Sequence, residues 1–394
     1  MQMPRLLINA VTAFAFAVWV AFATQAQDET ESATPSAATE SQVKEMIGKL
    51  SSASFSERQQ ASKNLLNVGP EFVRILEDAA ASSTGETQLR LRMLLPQLRE
   101  RLFDDQLSAF LKQNSVENAR RLPQWDRFES LCGQDEEALS IFGQILKAES
   151  RLFATRLFAV HELPQLLEVR TAEIAEKCNG RLDEEFPVAS VAAVMLLGSE
   201  SETRLVRATS ANISSGLDDP RFSTLIREGV HSRALRVLVE AWILRKGIAA
   251  ERPLLFSMQH ELAAGRLLAL RVINSNSRRP DMILALLCLA KFRNTEDLAV
   301  VETLLSHETV LWPQRGRIIK RLVPGAAPAD TNYKVQTRDV ALVAAAQIRG
   351  IPPIELGIAA RPSDVTLFAI DSIGFSSDEA RRSALAAYRK LATK

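Results

Sequence analysis

Between Ser54 and Leu102 the chain carries three helix-forming stretches in succession, each with its own start and stop signals and almost nothing between them. The first is SFSERQQASKNLLNVG. A capping box forms there either from Ser54 with Glu57 or from Ser56 with Gln59, because a hydroxyl accepts an orphan N–H while the acid or amide reaches back. Ala61, Leu65 and Val68 fall at i, i+4 and i+7, with Leu66 widening the apolar face. Gly69 suits the left-handed residue that ends a helix, and Pro70 the first turn of the next. The second stretch, PEFVRILEDAAAS, places Phe72, Val73, Leu76 and Ala80 on one side. So short a link predicts an antiparallel hairpin. The third runs from Glu86 to Leu102, with Leu91, Leu94, Leu95, Leu98 and Leu102 in one stripe and Arg90, Arg92, Arg99 and Arg101 largely off it. A hairpin with apolar faces on both sides needs neighbours to stack on, so more helices are expected downstream.

The remainder of the 394 residues meets that expectation. With 46 % hydrophobic residues general disorder is excluded, and only 16 glycines argue against a turn-dense β protein. Asp104 to Lys112 reads as a short helix. Pro123 starts one carrying Trp125, Phe128 and Leu131, which Gly133 ends, and Trp125 reads as a core anchor. Further helices follow to residue 178. After the loop NGRLDEEFPV comes an alanine-rich helix, and SSGLDDPR at 214–221 is the clearest interior break, between subdomains or between repeats. Asn294 caps the helix with the Leu298, Val301, Leu304 and Leu305 stripe. Val323 to Lys334 is an irregular loop, residues 335–350 are a helix, and Ser376 with Glu379 boxes the last one. No stretch makes a convincing strand. The expected fold is all-α, an α-solenoid-like array of antiparallel helical hairpins over residues 43–394.

Residues 1–26 read as a signal peptide, with Arg5 in the basic region, an apolar run from Ala10 to Ala23, and cleavage after Ala23 or Ala26. An uncleaved anchor is the alternative, but the run falls short of the ~20 residues that span a bilayer. No later segment is long and apolar enough to span one. Residues 27–42, QDETESATPSAATESQ, form a polar, acidic linker expected to be disordered. Removing residues 1–42 takes away Arg5 and four acids (Asp28, Glu29, Glu31, Glu40), so 48 basic and 47 acidic residues become 47 and 43, a net +4. That balance excludes a general nucleic-acid or membrane-surface binder. The mature chain is expected outside the cytoplasm, periplasmic or extracellular.

Three cysteines, Cys132, Cys178 and Cys288, allow at most one internal disulfide. Cys288 lies in MILALLCLA and reads as an inert buried thiol, and no structural disulfide is expected. None of His161, His231, His260 and His307 has a partner at a metal-binding interval, and no phosphate loop, dinucleotide fingerprint or nucleophile elbow occurs. Glu136-Glu137 and Asp218-Asp219 sit where helix starts favour negative charge. The densest basic group is Arg315, Arg317, Lys320 and Arg321. It is a candidate anion or partner patch, although the solvated face of a helix burying Ile318, Ile319 and Leu322 explains it as well.

The pattern S-F-x-x-R-x-x-A-x-x-x-L-x-x-x-G-P from Ser54 to Pro70 resembles the HEAT/armadillo-like opening hairpin of exported, uncharacterised proteins of planctomycete bacteria. Three segments resemble the same group: LPQWDRFESLCGQDEEALSIFGQILKAE, HELAAGRLLALRVI and the tail from Thr337 to Leu391. The tail departs from it at Ile351-Pro352-Pro353-Ile354 and at Tyr388, where more polar residues and a tryptophan are expected. The resemblance implies a helical-repeat fold and export, and brings no activity, cofactor or catalytic residue with it. The functional expectation is a non-catalytic scaffold for a protein or peptide partner, without cofactor or metal. An enzyme with a site assembled between repeats is the alternative.

Overall fold

The structure is a computed structural model that describes residues 39–180, 185–275, 279–313 and 333–393. It is mostly helical, with 19 α-helices among the described residues. The chain divides into two compact units, one up to Leu94 and one from Leu95 onward. Residues 1–38, which cover the expected signal peptide and most of the expected linker, lie outside the described residues.

The first unit holds α1 (Glu40–Lys49), α2 (Phe55–Leu66), a 3-10 turn at Pro70–Phe72, α3 (Val73–Ser82) and the start of α4 (Gly85–Lys112). Thr39 opens α1 with a closed capping box: its hydroxyl accepts from the Gln42 N–H, and the Gln42 amide accepts from its own N–H at 2.7 Å. Glu40, Ser41 and Gln42, assigned to the linker by composition, are therefore the first turn of a helix. For α2 the structure selects Ser54, whose Oγ accepts from the Glu57 N–H. The box is not closed there, because the Glu57 carboxylate accepts from the Ser52 hydroxyl instead. Nor is Gly69 left-handed; α2 ends at Asn67 with φ −96°, and the 3-10 turn carries the chain into α3.

Helix α4 corrects the expected short helix at Asp104–Lys112, for it is a single 28-residue helix that continues through Pro96. Proline there removes one hydrogen bond to the Arg92 carbonyl without ending the ladder. Leu91, Leu94, Leu95 and Leu98 are buried and Leu102 is half-buried, as the stripe requires. Glu86, on the first turn, holds Arg90 at 2.6 Å and Arg58 of α2 at 3.7 Å.

The second unit continues with α5 (Val116–Ala119), α6 (Trp125–Cys132), α7 (Glu136–Ala148), α8 (Ser150–Phe158), α9 (Leu163–Cys178), α10 (Val188–Gly198), α11 (Arg207–Ser215) and α12 (Pro220–Glu228). Then come α13 (Ser232–Ile243), α14 (Glu251–His260), α15 (Ala264–Asn274), α16 (Arg279–Phe292), α17 (Leu298–Thr303), α18 (Thr337–Ile348) and α19 (Asp378–Ala392). Helix α7 packs on α10, α10 on α13, α13 on α15, α15 on α16 and α16 on α18; α9 packs on α11, and α14 on α16. Across a longer separation α6 also packs on α13, where the Cys132 thiol lies 3.8 Å from the Ala234 carbonyl. Trp125 is a core anchor, 1 % exposed, edge-on to Phe142 at 5.1 Å. Residues 214–221 lie inside this unit, where α11 runs through a 3-10 turn at Gly216–Asp218 into α12.

Strands are present where none was expected. β1 (Val310–Pro313) pairs antiparallel with β2 (Lys334–Gln336), and β3 (Pro362–Ser363) with β4 (Leu367–Phe368). The helix expected from Val335 thus begins at Thr337, because Lys334–Gln336 exchange hydrogen bonds with β1 and Lys334 also bridges Phe375. The cap of α19 is Ser377, which accepts from the Ala380 N–H at 3.1 Å, one residue beyond the expected Ser376.

Leu91 is fully buried in the first unit. Truncating it to alanine is expected to destabilise that unit by ~2–5 kcal/mol through lost transfer energy and a residual cavity. Hydrogen exchange resolved along the chain should quicken over residues 55–82 in Leu91→Ala and stay unchanged over Arg279–Phe292. The exposed Arg92, changed to alanine, should do little to either. Equal loss of protection at both ends would show one cooperative globule instead of two units.

Candidate functional site

Two hollows lie along one hairpin, α8 and α9. The hairpin forms because Leu152 and Phe153 on α8 and Leu163, Leu167, Ile174 and Ala175 on α9 turn inward, with Pro164 in the first turn of α9. Helix α9 also contributes Leu163, at the edge of that inward face, and Leu166, Arg170 and Glu173 to the hollows. Their spacing, i, i+3, i+7 and i+10, is one helical face. These positions trace a strip ~15 Å long on the helix, along which the two hollows, about 320 and 260 Å³, open as separate depressions that share no lining residue. Val160 and Val169, 53 % and 56 % exposed, border it as apolar side chains left in water.

Two arginines at its rim are already engaged, while Arg151, Glu202 and Arg204 beside them are exposed. Arg170 grips Glu149 through two nitrogens at 2.8 Å each and reaches Glu173 at 2.6 Å. Its hydrogen bonds to Glu149 hold the guanidinium well above its ordinary pKa despite partial burial. At the other hollow Arg156 meets Glu200 at 3.0 Å, and the Thr203 hydroxyl donates to the same carboxylate at 3.2 Å. Arg245 donates to the backbone carbonyls of Gly198, Glu200 and Thr203, which fixes the wall carrying Glu200. A carboxylate held this way has its oxygens occupied by donors of the protein itself. The arrangement suits contact with an apolar or amphipathic segment.

The residues singled out by sequence fall elsewhere. Arg315, Arg317, Lys320 and Arg321 lie outside the described residues. His161 is exposed at one hollow and lies 3.5 Å from its neighbour Glu162, while His307 is exposed. Among the described residues no group of three or more His, Cys, Asp or Glu side chains could hold a metal ion. Both acid pairs serve helix starts: Asp135 caps α7 just before Glu136 and Glu137, and Asp219 caps α12 and pairs with Arg221 at 2.6 Å. All three cysteines are buried free thiols, and burial pushes Cys288 up to about 12.

Sequence reasoning missed one contact between potentially reactive groups. Ser223 on α12 and His260 on α14, 37 residues apart, meet at 3.1 Å through Oγ and Nε2. No local spacing could signal it. The geometry is that of a nucleophile and base, but the electrostatics are not. Burial first, then Arg227 and Arg236, push His260 down to about 4, and its Nδ1 has no hydrogen-bond partner. A base in such a pair needs an acceptor on Nδ1 to stabilise the imidazolium as it forms. His260, 5 % exposed and 4.2 Å from the Phe256 ring, is a core histidine kept neutral.

No protein-family model matches the chain, and comparison with curated proteins and with solved structures found no match.

His260 makes stability depend on acid. Above its ordinary value of 6.5 the ring is neutral in both folded and unfolded chains, so it adds nothing to the pH dependence. As the pH falls from 6.5 toward about 4, the unfolded chain takes up a proton that the fold refuses, and stability drops. The full loss is roughly 3 kcal/mol. Urea-unfolding midpoints of the native chain and of His260→Gln, compared at pH 7 and pH 4, should converge as the pH falls. Parallel curves would show that the folded ring takes up the proton.

Proposed function

We propose that this chain is an exported, non-catalytic helical-repeat scaffold, an α-solenoid-like array of HEAT/armadillo type, that binds a protein or peptide partner. The observation that carries the reading is the α8–α9 strip, with exposed valines at its border and the pairs Arg170–Glu149 and Arg156–Glu200 at its rim. An extended segment advances ~3.3 Å per residue, so a strip of this length takes about four or five residues. Apolar side chains would fill the two hollows, and the rim would limit what flanks them. Support for the array comes from the helix succession, in which α7, α10 and α13, every third helix, pack each on the next. That is the local stacking by which repeat proteins build extended binding surfaces, with α6 on α13 as an added long-range contact. Export rests on residues 1–26 and places the partner outside the cytoplasm.

A peptide library selected on the full chain is expected to converge on a short motif with apolar residues. Val160→Glu with Val169→Glu should weaken the selected peptides at least about tenfold, since each change puts charge where apolar area would be buried. Thermal unfolding should barely move, because both side chains are more than half exposed. Failure to converge, or equal binding to the double variant, would overturn the assignment of the strip.

Export has its own test. The N-terminus of the chain isolated from its source should follow Ala23 or Ala26, and recovery of Met1 would refute cleavage.

A further inference from the structure

The geometry points to a second, separate site: the cleft between α12 and α14 binds a small organic oxyanion, a carboxylate or phosphate monoester, that carries an apolar body. The cleft encloses about 420 Å³, enough for a small organic molecule. Its charges do not cancel. Asp218 is taken by Arg252, whose Nε lies 2.7 Å from Oδ2, while Arg227, exposed at the same cleft, has no ion-pair partner among the described residues. One guanidinium is thus left over, and a guanidinium binds planar or tetrahedral oxyanions through paired N–H donors.

Ser223 supplies a second donor from the wall. It is buried, 8 % exposed, and fixed by His260 behind it. A neutral imidazole carries one proton, and Nδ1 of His260 has nothing to donate to, whereas Nε2 faces the Ser223 oxygen. With the proton on Nε2 the ring donates to Ser223 Oγ, and the serine hydroxyl hydrogen is free to turn into the cleft. Arg227 stands close enough to His260 that, after burial, its charge also helps keep the ring in that neutral form. Thr224, at the same wall, gives its hydroxyl proton to the Pro220 carbonyl at 3.1 Å and is not available. Leu255 and Phe256 provide the apolar side against which the body of the ligand would rest.

Calorimetric titration of the full chain with phenyl phosphate and with benzoate, beside benzyl alcohol and inorganic phosphate at matched ionic strength, tests this. At least one aromatic oxyanion should bind saturably, and the tighter of the two identifies the anion class. Benzyl alcohol and inorganic phosphate should bind at least about tenfold more weakly, each lacking one half of the recognition. Arg227→Ala should weaken the oxyanion at least about tenfold while Arg227→Lys retains part of the binding, with thermal unfolding unchanged in both because the side chain is exposed. No saturable binding up to millimolar concentration, equal binding of benzyl alcohol or inorganic phosphate, or an Arg227→Ala variant that binds as well as the native chain would each overturn the proposal. The α8–α9 strip shares no residue with this cleft, so failure of either leaves the other standing.

Discussion

Three helices of the second unit have almost no face to give to water, and the arrangement around them follows from that. Every residue of α10 from Ser190 to Gly198 is buried, as is every residue of α16 from Met282 to Ala290 and all of α18 except Arg338. A helix that is apolar all round must be surrounded by other helices. The sequence makes room for them with small residues. A Cβ on Gly198 would come within 2.9 Å of Ile213 and 3.1 Å of Trp242, and one on Gly265 of α15 would strike Ser257 of α14 at 2.3 Å. Alanines at 341 and 344–346 do the same for α18. Each fully buried leucine or valine adds roughly 1.5–3 kcal/mol, so the neighbours are held by the centre they enclose.

Such a core leaves little room for charge, and the acids inside it are matched one by one. Asp339, fully buried, receives two nitrogens of Arg381 and the Gln336 N–H, joining α19 to the start of α18. Asp297 takes Arg266 of α15 at 2.8 and 2.9 Å, and Glu149 takes Arg170. All of these sit at helix ends or connections. Replacing a buried pair with well-packed apolar residues is often neutral, whereas removing one partner strands a charge. These pairs therefore act mainly on placement, fixing which loop meets which helix. Apolar stripes that tolerate sliding cannot do that by themselves.

What was legible in the sequence divides along the same line. The helix starts near Ser54, left open there against Ser56, at the acid pair Asp218-Asp219 and at Asn294 were readable because a cap and the N–H groups it satisfies lie within three residues. The Leu91–Leu98 stripe was readable because period 3.6 survives any tertiary arrangement. The two strand pairs were not. Lys334–Gln336 is three residues long, too short for alternation to show, and becomes a strand only because residues 310–313 lie beside it. Nor was the continuity of α4 past Leu102 into the stretch Asp104–Lys112, expected as a separate short helix. The site was the least legible part, since Glu149 and Arg170, Arg156 and Glu200, and Ser223 and His260 are brought together by folding across 21, 44 and 37 residues.

Under the proposed reading, the α8–α9 strip would draw its binding capacity from the rigidity behind it. One wall, residues 198–203, follows directly on α10, whose residues cannot shift without opening the core. From the far end of α13, Arg245 then holds three carbonyls of that wall at once. On the hairpin itself Arg170 ties α9 to the connection before α8 through Glu149. A partner arriving there meets side chains whose freedom was given up on folding, so the entropy lost on binding falls mainly on the partner. Exposed valines at the edge of the strip are unfavourable for the free chain by only a small amount, because isolated apolar side chains on a surface are ordinary. Burying both together against a complementary segment recovers that area without breaking any of the ion pairs beside it. Affinity at such a strip would come from apolar contact and selectivity from the paired charges. A segment that brought its own charge against Arg170 or Glu200 would have to compete with a partner already in place.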